Sequence, residues 1–136
     1  MTQNPSHRIA RDFFAALSNG ALPLEMLTDD MTAWTTTSGV QSARERYAGG
    51  IQMFATLFPN GLLYTVESLT AEEDRVVAEV QADGLLSNGD IFQNRYVFVL
   101  RLREGRIAAV AEHFNPDPVR NQIVPLLQHV MAKNAG

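Results

Sequence analysis

Glu112 closes an apolar run, Ile107-Ala108-Ala109-Val110-Ala111, and is the first charged side chain after Arg106. An acid carried onto an apolar sheet face loses solvation, which raises its pKa toward the range useful for proton transfer near neutral pH. The dull alternative is a strand-end glutamate hydrogen-bonded to a tyrosine, and Tyr96 is available for that. Asn94 and Tyr96 alternate on the preceding apolar run, continued by Phe98, and an amide and a phenol there would orient a ligand carbonyl or hydroxyl. Both residue types also finish cores near open ends. Trp34 and Thr35, followed by Thr36 and Thr37, belong to a segment entering the same interior, where alternate hydroxyls would line it. Threonine also favours strands for local reasons. Phe13, Phe54 and Phe58 fall in helical aromatic stripes, which serve as core or as pocket wall.

Other chemistries are not supported. The chain has no cysteine, so it makes no disulfide, thiolate nucleophile or thiolate metal site. His7, His113 and His129 are scattered without ligand spacing, so no metal is expected. No glycine-rich phosphate loop follows a strand and no serine sits in a nucleophile elbow, and no cofactor is expected. The formal charge of -4, with Arg95, Arg101, Arg103 and Arg106 interleaved among acids and apolar residues, argues against nucleic acid. No stretch approaches the roughly 20 apolar residues that span a bilayer, and no apolar run precedes the first charges. A cytoplasmic location, without membrane contact, is the expectation.

The length of 136 residues suits one domain over 1–136. Asn4-Pro5 opens a helix over 5–19, capped by Asn4, with Ile9, Phe13, Ala16 and Leu17 on one stripe. A short helix over 22–27 leads to a strand over 31–37. Ser42 and Glu45 have the spacing of a capping box, and Tyr47, Ile51, Phe54 and Phe58 follow as the face of a third helix. Gly49-Gly50 inside it costs about 1 kcal/mol each relative to alanine, so the pair calls for a kink or a close approach. From 62 onward, four strands form a meander over 62–70, 75–86, 91–103 and 106–115. Polar turns at Glu72-Glu73-Asp74, Asn88-Gly89 and Glu104-Gly105 join them. Asn115-Pro116-Asp117-Pro118 ends the ladder, and a last helical segment carries Val119, Ile123, Leu126, Leu127 and Val130, kinked at Pro125. The fold class is α+β: helices closed over a curved, mostly antiparallel sheet.

Register decides which residues share a face. A two-residue type I′ turn at Glu104-Gly105 would force Glu104 to positive φ, whereas a type I turn with Gly105 left-handed asks that only of the glycine. The second geometry pairs Leu102 with Arg106, Phe98 with Val110, Tyr96 with Glu112 and Asn94 with Phe114. In the neighbouring strand, Val76, Ala78, Val80 and Ala82 alternate with polar residues, so a bulged register at Asn88-Gly89 puts all even positions on one face. That face, with Asn94, Tyr96, Phe98 and Glu112, is the expected interior, and Gln81, Arg95 and His113 lie on the other.

Four segments carry a family resemblance: Trp34-Thr35-Thr36-Thr37-Ser38-Gly39, Leu57-Phe58-Pro59, Phe92-Gln93-Asn94-Arg95-Tyr96, and Glu112-His113-Phe114-Asn115-Pro116. With the order of elements, they make the chain resemble the SnoaL-like group of the nuclear transport factor 2-like superfamily. That group includes ketosteroid isomerase, limonene epoxide hydrolase and polyketide cyclases. Locally the chain is most similar to the phenazine-biosynthesis A/B proteins, whose corresponding glutamate is a pocket acid/base residue, so the resemblance too points at Glu112. It also implies a cone-shaped α+β barrel and a homodimer packed through the sheet. The chain departs from its relatives as well. The histidine that partners the phenazine glutamate falls near Gly50. Thr35 stands where ketosteroid isomerase has its base and Phe13 and Phe98 where it has its oxyanion tyrosine and acid, and of the Arg and two acids that the epoxide hydrolases use the chain offers only Glu112, against the apolar Val80 and Ala82.

Two functions are compatible with these residues. One is an enzyme in which Glu112 moves a proton on a hydrophobic cyclic substrate, in isomerisation, cyclisation or hydration, while Asn94 or Tyr96 orients a carbonyl. The other is a non-catalytic module that carries a hydrophobic small molecule.

Overall fold

The computed structural model describes residues 4–135. Helix α1 (Pro5–Ser18) forms as its sequence dictates: Asn4 accepts a hydrogen bond from the Ser6 N–H at 2.8 Å, and proline occupies the first turn, where its missing N–H costs nothing. Its apolar stripe buries Ala10, Phe13, Phe14 and Leu17. Of the helix expected over 22–27 only one 3-10 turn forms, Leu24–Met26, because Pro23 before it is extended. Strand β1 (Leu27–Thr35) therefore begins earlier than expected, and Thr36 and Thr37 fall in the turn that follows.

The capping box does not form. Ser42 and Ala43 make β2 (Ser42–Ala43), a two-residue strand antiparallel to β1, and the Ser42 hydroxyl is turned to the Ala33 carbonyl at 3.5 Å. Helix α2 (Arg44–Ala55) starts after Ala43 with no side-chain cap. Pairing at the sheet edge has taken the residue that the local motif would use. No close approach calls for glycine at Gly49 or Gly50, since a Cβ at either meets nothing within 4 Å.

The meander comprises β3 (Leu62–Glu72), β4 (Arg75–Leu85), β5 (Ile91–Arg103) and β6 (Arg106–Phe114). Six strands form one sheet in the order β2-β1-β6-β5-β4-β3, antiparallel throughout except where β1 lies parallel to β6. The bulged register between β4 and β5 is as expected, with Gln81 opposite Arg95 and Val80 opposite Tyr96. The β5–β6 turn is not. Glu104 and Gly105 have φ of 52° and 78°, and Arg103 pairs with Arg106, so the two-residue turn with both residues left-handed prevails. Its twist matches the strands it joins, which offsets the roughly 1–2 kcal/mol that Glu104 loses. Ala108 then bulges between Ile107, opposite Leu102, and Ala109, opposite Arg101. Glu112 consequently pairs with Phe98, Phe114 with Tyr96 and Val110 with Leu100, two positions away from the expected partners. The bulge restores the parity that the tighter turn removed, so the even positions still face inward.

Helix α1 packs on β3 and β4, and α2 packs over β1. Phe13 and Phe14 meet Phe98 edge-on, with centroids 6.0 and 4.9 Å away, and Phe54, Phe58 and Phe92 form a second aromatic group. At the C-terminus Asn115 caps the turn Pro116–Pro118 through the Asp117 N–H. A π-helical turn, Val119–Ile123, then precedes the helix Val124–Ala135. Pro125 has no N–H for a regular bond to residue 121, and the wider turn ahead of it accommodates the loss.

Candidate functional site

Glu112 sits at the end of β6 where parallel β1 ends, and its backbone is pinned there. The N–H of Thr36 and the Thr36 hydroxyl both donate to the Glu112 carbonyl, at 3.0 and 3.2 Å, while that hydroxyl accepts from the Phe114 N–H at 3.1 Å. The inward parity of β6 then carries the carboxyl off the sheet into the interior, where the residue is 8% exposed. Among the described residues its one side-chain hydrogen-bond partner is Tyr47, in the first turns of α2, whose hydroxyl donates to Glu112 Oε2 at 2.5 Å. Burial raises the Glu112 pKa to about 7, against the opposing pull of that hydrogen bond. Burial, then the Glu112 charge, holds Tyr47 well above the ordinary phenol range, so it remains a donor.

An open cavity of about 610 Å³ reaches Glu112. Ile51, Phe54, Phe114, Val119 and Ile123 give it apolar walls, and Tyr47, Tyr64 and Tyr96 bring phenols to it. The Tyr64 and Tyr96 rings stand 6.2 Å apart. Both are held protonated: burial raises each, then the neighbouring Tyr96 and Glu112 for Tyr64, and Glu112 for Tyr96. On the outer side stand Thr35, Thr37, Ser38, Gln41, Ser42 and Arg46. Thr35 and Ser38 are joined hydroxyl to hydroxyl at 3.2 Å.

Of the residues singled out in the sequence, Glu112, Tyr96, Thr35 and Phe54 meet at this cavity. Thr37, the alternate hydroxyl to Thr35, lines it as well, whereas Trp34, Asn94, Phe13, Phe98 and Phe58 do not. Trp34 is on the opposite face of the sheet, against His113 with ring centroids 5.0 Å apart, because Met31, Ala33 and Thr35 take the inward positions of β1. Asn94 is buried but committed: its amide donates to the Asn115 carbonyl at 2.9 Å, and its oxygen accepts from the Arg95 N–H at 3.0 Å. Phe13 and Phe98 are core, packed on each other and on Phe14. Phe58 lines a separate hollow of about 220 Å³, which shares Ile51, Phe54 and Tyr64 with the main cavity. The partner of Glu112 is Tyr47 rather than Tyr96. Tyr47 shares its stripe with Phe54, and a phenol on a helix face that is otherwise apolar was the signal available for it. Tyr64 and Arg46 offered no comparable signal, since their place depends on how β3 and the β1–β2 connection fold back. Among the described residues no cluster of three metal-ligating side chains occurs, and no helix is long and apolar enough to cross a membrane.

Solved structures share this architecture. An NTF2-like protein from Anabaena variabilis superposes with a TM-score of 0.73 at 24% identity, over 85% of this chain and 94% of its own. A candidate SnoaL-like polyketide cyclase from Jannaschia sp. gives 0.72 at 16% identity, over 88% and 94%. IdmH, a candidate polyketide cyclase from Streptomyces antibioticus, gives 0.73 at 20% identity, over 89% and 99%. At these identities the likeness concerns the fold. No curated protein matches the chain. The family model of the SnoaL-like domain matches residues 10–110, most of the sequence, and the chain belongs to that family.

Proposed function

We propose that the protein is a small-molecule enzyme of the cyclase or isomerase type, in which Glu112 takes a proton from a carbon acid and returns it elsewhere on the same molecule. The observation that carries this reading is a buried carboxyl, with a pKa of about 7, facing a cavity of about 610 Å³ with apolar walls. Near neutral pH both of its forms are populated, so the carboxylate serves as base and the carboxylic acid it becomes serves as acid. The step balances without a cofactor. Glu112 Oε accepts the proton from a carbon next to a carbonyl, the C–H electron pair moves into the carbonyl as an enolate, and the proton is delivered back from Oε to carbon. Tyr64 and Tyr96, held protonated at the cavity wall, supply donors for the enolate oxygen. Tyr47 holds the carboxyl in place.

A purely carrying role is disfavoured because an acid kept inside an apolar wall costs stability that carriage does not require. The distinguishing experiment uses 2-tetralone, a cyclic ketone with acidic C–H groups, in deuterated buffer, with exchange followed by NMR. The enzyme reading expects exchange well above the buffer rate, and Glu112→Gln should lower it by about 100-fold or more. Exchange at the buffer rate, or undiminished in the variant, would count for the carrier.

The reading includes a homodimer joined through the outer face of the sheet. Val97 is 40% exposed there, and Trp34, Val77 and Val99 share the face, which would gain from being covered.

A further inference from the structure

Proton transfer at Glu112 leaves unused a charge at the entrance of the same cavity. Among the described residues, only two of the side chains lining the cavity carry charge, the buried Glu112 and the exposed Arg46. Arg44, two residues earlier, is bound by Asp29 and Glu45 at 3.0 Å each, which engages both of those acids with Arg44. Arg46 forms no ion pair among the described residues. Thr37, Ser38, Gln41 and Ser42 surround the entrance with hydroxyls and an amide. Gly50, four residues on and therefore on the same side of the helix, leaves it open, since a Cβ there meets nothing within 4 Å. The cavity thus grades from a cationic, donor-rich mouth to apolar walls and then to a carboxyl.

Building on the reading above, we infer that the substrate is amphipathic: an apolar ring system bearing an anionic group, a carboxylate in the simplest case, which docks on Arg46 while the rings reach Glu112. A guanidinium presents paired N–H donors to a carboxylate, and beside an apolar cavity their attraction is screened less than on open surface. Orientation follows from charge. An anion placed deep would meet Glu112, whereas one at the mouth meets Arg46 and the hydroxyls, so the ring end is delivered to the acid/base group. Arg46 is in this account a specificity residue.

Calorimetric titration of the full chain with 2-naphthoate and with neutral 2-naphthamide tests this. At about pH 6 the naphthoate is ionised while Glu112, at about 7, is largely neutral. The wild type should bind the acid about tenfold tighter than the amide or better, and Arg46→Met should abolish that preference. Arg46→Lys should keep part of it, which a merely structural role for Arg46 would not predict. Equal affinity for the two probes, binding of neither, or a preference that survives Arg46→Met would overturn the inference. The proton-transfer reading is tested apart from it: Glu112→Gln should retain the naphthoate preference even as it loses exchange on 2-tetralone. Loss of the preference in that variant would remove Arg46 as its source.

Discussion

A glutamate with 8% of its surface exposed has lost most of the water that stabilises its charge, and one hydrogen bond from Tyr47 does not replace it. Because the folded-state pKa is about 7, above the ordinary value of 4.5, the folded protein holds a proton that the unfolded chain releases between those two values. The associated stability is fully present below the unfolded pKa and is lost as pH rises through the folded one, on the order of 3 kcal/mol in all. Glu112→Gln keeps an acceptor for Tyr47 but removes the titration. Its melting temperature relative to the wild type should therefore rise between about pH 5 and pH 8, and a flat difference would deny the shift. Tyr47→Phe removes the group that favours the charged form, so the Glu112 pKa should move further up. The midpoint of any base-dependent exchange should move with it, at a stability cost of about 1–2 kcal/mol for the lost hydrogen bond. An unmoved midpoint would show that Tyr47 has no hold on the carboxyl. The acid itself was visible in the sequence as a charge closing an apolar run. Its partner was not, because Tyr47 and Glu112 lie 65 residues apart and meet through the packing of α2 over β1.

At the scale of elements, the strands of the meander were legible because their apolar and polar residues alternate and polar turns separate them. The interior face was legible too, although the β5–β6 turn was read in the wrong geometry. Glu104 accepts a left-handed backbone, and the bulge at Ala108 compensates, a combination that residue preferences do not reveal. Trp34 was misplaced because four consecutive residues, Trp34 to Thr37, favour strands alike, and only pairing with β6 decides which of them turn inward. The missing cap on α2 has the same origin, in that Ser42 is claimed by the sheet. Gly49 needs no positive φ and has open space around its Cα, so Gly49→Ala should stabilise the protein by about 1 kcal/mol, seen as a rise of a few degrees in melting temperature. A fall would mean that α2 needs a glycine for a reason outside its own geometry. Phe13→Ala, by contrast, should cost about 3–5 kcal/mol, as a fully buried core ring rather than a ligand contact.

For the whole molecule, helices close one face of the sheet while the other remains uncovered in a single copy. The cavity is lined where β1, β6 and α2 converge, and its residue Gln41 also borders a hollow on the outer face with Trp34, Val99 and His113. Light scattering should give twice the mass of the chain, and Val97→Glu should return it to one copy while leaving naphthoate binding unchanged. A wild-type monomer would refute the dimer without touching the cavity. The fold was legible at this scale because the order of elements persists across the family, whereas the substrate was not, since it depends on side chains that differ between members.

The central claim is that the cavity carboxyl titrates near neutrality, and the most direct measurement is an NMR titration of the Glu112 side-chain carboxyl carbon in the isotopically labelled protein, with Glu112→Gln to assign the resonance. The account predicts a midpoint near 7, whereas a midpoint at the ordinary 4.5 would contradict it.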